Sequence, residues 1–205
     1  MSTLLFFIHP DKLDDYTLSQ AADIMKDGGV VIYPTDTIYA MGCSILQPKA
    51  LERMAKIKGI RVDKAVFSLI VHDFAHITDY TKPMSNTVYK LMKHNLPGPF
   101  TFILEANSNI PKLMNSRRKT VGIRIPNNPI TLGLVEKLGC PMVSTSLHSD
   151  DEIEKFPTDP DEIFADYENK VDAVIDGGHG NNEESTVVDC TEQEPVIIRQ
   201  GLGIL

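Results

Sequence analysis

The sequence predicts an α/β fold built on a mixed sheet, and three observations carry that expectation. Apolar residues recur at helical spacing in four separate stretches. β-rich runs lie between those stretches, two of them leading into Pro34 and Pro126. Toward the C-terminus the strand runs follow one another with no helix between them, which argues against a fully parallel sheet. The 205 residues fit one domain spanning 1–205, long enough to bury a substantial core.

Taken in order, Leu18, Ala21, Ala22 and Met25 mark the first helical face, closed by Gly28-Gly29 as a stop signal. Val30 to Tyr33 then reads as a buried strand. A second helix is marked by Ala50, Met54 and Ile57, and a strand follows over 66–71. Met84, Val88, Leu91 and Met92 mark a third helix ahead of strands over 100–104 and 121–125. A fourth, marked by Ile130, Leu134 and Leu138, precedes a strand over 141–144. The acidic segment 149–161, with Pro157 and Pro160, predicts a flexible connection into a short helix over 161–168. Strands over 173–176, 186–190 and 196–199 complete the chain, the last two as a hairpin. Leu4 to Ile8 is apolar, but too short and too poor in flanking basic residues for a signal peptide.

The net charge of −8 argues against a chain-wide nucleic-acid or membrane surface. Basic residues nevertheless cluster at Lys56, Lys58, Arg61 and Lys64, and again at Arg117, Arg118, Lys119 and Arg124. Cys43, Cys140 and Cys190 have neither zinc-ligand nor disulfide-framework spacing. They read as small buried side chains in a reducing compartment, and the expected location is the cytoplasm. No metal site is predicted. The Gly177 to Asn182 loop lacks dinucleotide-binding spacing, and no Walker A sequence is present. A phosphate ligand would have to be held by converging cations and hydroxyls instead.

Separate segments supply such groups. Thr35 and Thr37 follow the first long strand, Lys58 and Arg61 follow a helix, and Arg124 ends a strand. Ser144, Thr145 and Ser146 end the next, Ser185 and Thr186 open a later one, and Arg199 closes the last. Each has an ordinary reading as well: a turn at Thr35-Asp36, a solvated charge run from Lys58 to Lys64, a helix cap at 144–146. Arg124 resists it, because alternation with Ile123 and Ile125 places it on the opposite face of a strand of the kind usually covered.

These residues fall in an ordered set of motifs. They are Gly28 to Thr37, Lys58 with Val62-Asp63-Lys64, Pro97 to Thr101, Gly122 to Pro126, Ser144-Thr145-Ser146, Ser185 to Asp189 and Arg199-Gln200-Gly201. The set resembles the YrdC-like threonylcarbamoyl-AMP synthase family over nearly the whole chain. Phe6 to Pro10, and Leu91 to Asn95 before Pro97-Gly98, look nearer its YciO branch. The resemblance implies a YrdC-like (DHBP synthase-like) twisted sheet around a concave, electropositive cavity.

It also implies a reaction of threonine, bicarbonate and ATP, with Mg²⁺ accompanying the nucleotide, to give threonylcarbamoyl-AMP and pyrophosphate for tRNA modification. Carried over by position, Thr35 would lie at the amino-acid end and Lys58 by the phosphates, with Lys58, Arg61 and Ser146 the expected catalytic residues. Thr101 would line the floor. Thr37, Arg124, Ser144, Ser146 and His148 would contact ligand, and Ser185 and Arg199 would close the nucleotide side. Two departures stand out. The synthases show Lys-x-Arg, where this chain has Lys58-Gly59-Ile60 with Arg61 displaced by one. They show Ser-x-Asn, where it has Ser146-Leu147-His148. One lost charge-stabilising contact typically costs about 2.7–4 kcal/mol in the transition state, so weak or altered adenylation is expected.

A binding module without turnover is the main alternative. Members of this group have been described as double-stranded-RNA binders and putative translation factors, and Arg117, Arg118 and Lys119 form the local basic patch for RNA or tRNA. A partner protein that has kept the fold and lost the chemistry is the third reading.

Overall fold

The computed structural model describes residues 2–111, 114, 119–147, 156–192 and 194–205. One ten-stranded mixed sheet runs through the molecule. In chain order its strands are β1 (Leu4–Phe7), β2 (Val31–Tyr33), β3 (Ala40–Ser44), β4 (Ser68–Ile70), β5 (Phe100–Glu105), β6 (Thr120–Arg124), β7 (Met142–Ser146), β8 (Ala173–Asp176), β9 (Thr186–Asp189) and β10 (Val196–Arg199). Across the sheet the order is β1-β8-β2-β3-β7-β4-β6-β5-β9-β10. The β1–β8, β8–β2, β4–β6 and β5–β9 pairs are parallel, and the other neighbours are antiparallel.

Among the described residues five α-helices flank it: α1 (Asp15–Lys26), α2 (Pro48–Ile57), α3 (Asn86–Asn95), α4 (Pro129–Leu138) and α5 (Pro160–Tyr167). Their ends carry the local signals that stop or start a helix. The Asp14, Ser85, Asn128 and Asp159 side chains accept backbone N–H bonds at four N-termini. Pro48, Pro129 and Pro160 occupy first turns, where a missing N–H costs nothing. Gly139 ends α4 at φ 74°, a left-handed position that favours glycine. Among the described residues no helix is long and apolar enough to cross a membrane.

Two expectations change. Leu4–Phe7, assigned no strand from the sequence, is an edge strand beside β8. A strand over Ala40–Ser44 also escaped the sequence reading, and it joins β2 directly, so no helix separates those two strands. Ala-Met-Gly-Cys-Ser carries weak strand propensity, and its five residues are all buried. Cross-strand partners on both sides hold it in place, which local propensity does not report.

The sheet has two unlike faces. One is covered along its length by α2, α3 and α5, with Phe102, Leu69, Val143 and Val188 in its core. The other is covered by α1 and α4 over the β1-β8-β2-β3 end, with Met142 of β7 and Ile70 of β4 also in that core. That second core contains no described residue of β5, β6, β9 or β10. On the same face Thr101, Ile103, Gly122 and Val187 are half-buried, while their strand neighbours Phe102, Ile123 and Val188 are fully buried. Half of one sheet face is therefore left open, and it is this half that receives the polar strand residues.

Candidate functional site

A row of small residues crosses four adjacent strands, from buried Gly42 beneath the Tyr33 ring to half-buried Gly122 on the open half. Gly42 of β3 pairs with Ser144 of β7, Ser144 with Ser68 of β4, and Ser68 with Gly122 of β6, which faces Ile103 of β5. A methyl group at Gly122 would stand 3.2 Å from Thr101 Cγ2 and 3.4 Å from Ser68 Cβ. The row makes a shallow trough, and the predicted site residues rise around it in three groups.

The first group is centred on Arg124. Its Nη2 donates to Asp36 Oδ1 at 2.5 Å, Thr37 Oγ1 at 2.6 Å and Thr35 Oγ1 at 3.2 Å. Asp36 Oδ2 also accepts the Asn127 backbone N–H at 3.0 Å, tying the 35–37 loop to the entry of α4. Thr35 Oγ1 donates to the Ile38 carbonyl at 2.7 Å and accepts the Thr37 N–H at 3.0 Å. Arg124 is 8 % exposed, and its Nε has no partner among the described residues. A buried donor left unpaired costs free energy unless something occupies it. The Thr35-Asp36 turn is thus fixed by the arginine that sequence alternation singled out.

The second group lies along β7. Lys58, the cap residue at the end of α2, donates through Nζ to Thr145 Oγ1 at 3.2 Å and to the Ser146 carbonyl at 3.1 Å. Ser146 Oγ is 3.5 Å away. Residues 144–146 are strand residues, and their hydroxyls cap no helix. The Tyr33 hydroxyl donates to Ser144 Oγ at 2.6 Å from full burial, which pushes its ionisation well above the ordinary phenol range. Gly42 makes room for that ring: a Cβ there would meet Tyr33 Cε1 and the Val143 carbonyl oxygen, each at 2.9 Å. Gly42→Ala is expected to cost roughly 1–3 kcal/mol, because the backbone oxygen cannot yield as a side chain can. Urea denaturation measures it; a midpoint equal to wild type would mean the trough is looser than these distances require.

The third group joins β5, β9 and β10. Thr101 Oγ1 and Ser185 Oγ are 2.9 Å apart. Arg199 donates to the Ser185 carbonyl from Nη2 at 2.9 Å and Nε at 3.2 Å, and its Nη1 meets Glu184 Oε1 at 2.7 Å. Arg61 stands apart from all three groups. It is exposed and makes a two-point ion pair with Asp63, at 3.0 and 2.9 Å. That pair holds the Asp63 carboxyl below its ordinary value, chiefly through the side-chain hydrogen bond from Arg61. His148, Arg117 and Arg118 lie outside the described residues. Lys119 is exposed, at φ 53°.

Sequence reasoning missed Ser68, Gly42 and the acidic partners Asp36 and Glu184. Asp36 and Gly122 sat inside quoted motifs without a role, and Gly42 and Ser68 acquire theirs only through strand register. Cys43 and Cys190 behave as small core side chains, while Cys140 is half-buried with its Sγ 3.2 Å from Ser44 Oγ. Burial pushes the Cys43 and Cys190 thiols up to about 12, leaving them no useful thiolate at neutral pH.

Fold and site together define an α/β protein with a large twisted sheet, helices on both faces and a cluster of polar side chains on its open half. The chain belongs to the Sua5/YciO/YrdC family, whose model, described as telomere recombination, matches residues 23–201. It is 41 % identical over 199 residues to the uncharacterized protein YciO of Escherichia coli K12, covering 97 % of this chain and 95 % of that one. The crystal structure of E. coli YciO superposes with a TM-score of 0.92 at 39 % identity, covering 98 % of this chain and 97 % of that one. A threonylcarbamoyl-AMP synthase of Pyrococcus abyssi is 29 % identical over 194 residues, which are 93 % of this chain but 56 % of the synthase. The crystal structure of P. abyssi Sua5 complexed with L-threonine matches at TM-score 0.89 and 28 % identity, covering 97 % of this chain and 58 % of that one.

Proposed function

We propose that the cleft binds an adenine nucleotide and a small amino acid, and carries out adenylyl transfer of the threonylcarbamoyl-AMP synthase type. The supporting observation is that Arg124, Lys58 and Arg199, from distant segments, each meet serine or threonine oxygens of other segments. Cations and hydroxyls converging without a nucleophile suit positioning and charge stabilisation. Kinship with the P. abyssi synthase supplies the reaction class.

In that reaction threonine and bicarbonate condense to a carbamate with loss of water. A carbamate oxygen then forms a bond to the α-phosphorus of ATP. The bond from that phosphorus to the bridging oxygen breaks, and pyrophosphate leaves with the electron pair. Mg²⁺ enters with the triphosphate as part of the substrate. Lys58 offsets charge on the phosphates, Thr35 faces the amino acid, and Thr101, Ser144, Ser146, Ser185 and Arg199 hold the nucleotide. The product would feed tRNA modification.

The direct test supplies the purified chain with ATP, Mg²⁺, bicarbonate and threonine, and follows pyrophosphate. Release above background that depends on both threonine and bicarbonate is the expected result. Silence with threonine and with every other amino acid would remove turnover from the proposal. RNA retention by the same preparation would then favour the binding reading.

A further inference from the structure

β10 ends the strand order on one side of the sheet, and all four of its residues are exposed. Val196 is 54 % exposed, Ile197 43 % and Ile198 57 %, three adjacent β-branched apolar side chains on a free edge. The pairing of β9 shows where the free backbone lies. Thr186 and Cys190 donate their N–H groups to the chain of β5 and its entry, at 2.9 Å each. Alternation turns the backbone of Val187 and Asp189 toward β10 instead. Val196, opposite Asp189, therefore bonds inward, and Ile197, opposite Val188, turns its N–H and C=O outward. Glu194 stands exposed ahead of the apolar run, and Arg199, 42 % exposed, ends it. The opposite edge strand, β1, has no such pair of charges, being flanked by Thr3 and Ile8.

We propose that β10 pairs antiparallel with β10 of a second copy of this chain, about a two-fold axis at Ile197. The edge is its own complement under that operation. Ile197 exchanges both backbone hydrogen bonds with its counterpart, and Val196 meets the other copy's Ile198. The Arg199 end of each strand meets the Glu194 end of the other, whereas a parallel alignment would set like charge against like. Antiparallel edge pairing puts the axis normal to the sheet. The open halves of the two sheets then lie on the same side and join into one surface. The register shift between Ile197 and Arg199 bends the strand and keeps the seam short. The seam buries less than the roughly 1,200 Å² of a standard stable interface, so the dimer is weak and depends on concentration.

The test is sedimentation velocity of the full chain at about 5 µM and about 500 µM, a range across which a small seam assembles. Wild type is expected to be monomeric at the lower concentration and mainly dimeric at the higher. Ile197→Lys puts a charge on the seam at a position that already meets solvent, and a far-ultraviolet circular dichroism spectrum checks its fold. It is expected to weaken dimerisation at least about tenfold. Glu194→Arg, which sets a cation against Arg199, is expected to weaken it too, and by less at high salt. Phe7→Lys, on the β1 edge, is expected to change nothing. A wild-type chain that stays monomeric at both concentrations would overturn the inference. So would dimers that resist both Ile197→Lys and Glu194→Arg, or dimers lost only in Phe7→Lys.

Discussion

Arg124→Met is expected to destabilise the protein by about 3–5 kcal/mol, read as a lower urea midpoint with an unchanged slope. The figure follows from what the substitution leaves behind. Asp36 would remain 9 % exposed with its charge uncompensated, holding only the Asn127 N–H. Thr35 and Thr37 would each lose a charged donor. Adding Asp36→Asn to the same chain removes the stranded charge and should recover a large part of the loss, so the double variant is expected to be more stable than Arg124→Met alone. The two residues are in contact, and strong non-additivity is what a coupled pair shows. Additive effects of the two substitutions would mean that the ion pair is incidental to the loop. Retention of the wild-type midpoint by Arg124→Met would mean that the loop is held some other way.

That arginine also shows what a sequence can and cannot disclose. Its alternation with Ile123 and Ile125 was enough to place it on the strand face opposite those two, because side-chain direction along a strand has a period of two. The helical faces were equally readable: Leu18, Ala21, Ala22 and Met25 are the buried residues of α1, and Asn128 and Gly139 bound α4 where local chemistry requires. β3 was not readable. Its five residues are buried on both faces, so no alternation marks them. The trough was invisible for a related reason. Gly42, Ser144, Ser68 and Gly122 come into line only through register between strands far apart in the chain, a property of pairing and not of any local pattern. The displaced Arg61 was undecidable because the chain from 59 to 66 follows neither period. In the structure it is exposed and paired with Asp63, two residues on.

Lys58→Ala is expected to lower threonine-dependent pyrophosphate release by roughly 10²–10³, the usual cost of removing one preorganised charge from a transition state. Its effect on the urea midpoint should be far smaller than that of Arg124→Met, because Lys58 is only half-buried. This contrast separates a residue that acts on ligand from one that holds the loop. Arg61→Ala provides the internal control. An exposed ion pair contributes at most about 1 kcal/mol, so that variant is expected to lose less than about tenfold in rate. Equal and large losses for Lys58→Ala and Arg61→Ala would show that the 59–66 segment turns Arg61 onto the bound nucleotide, restoring the cation that one-residue displacement removes. A Lys58→Ala chain with wild-type turnover would take the phosphates away from the end of α2 altogether.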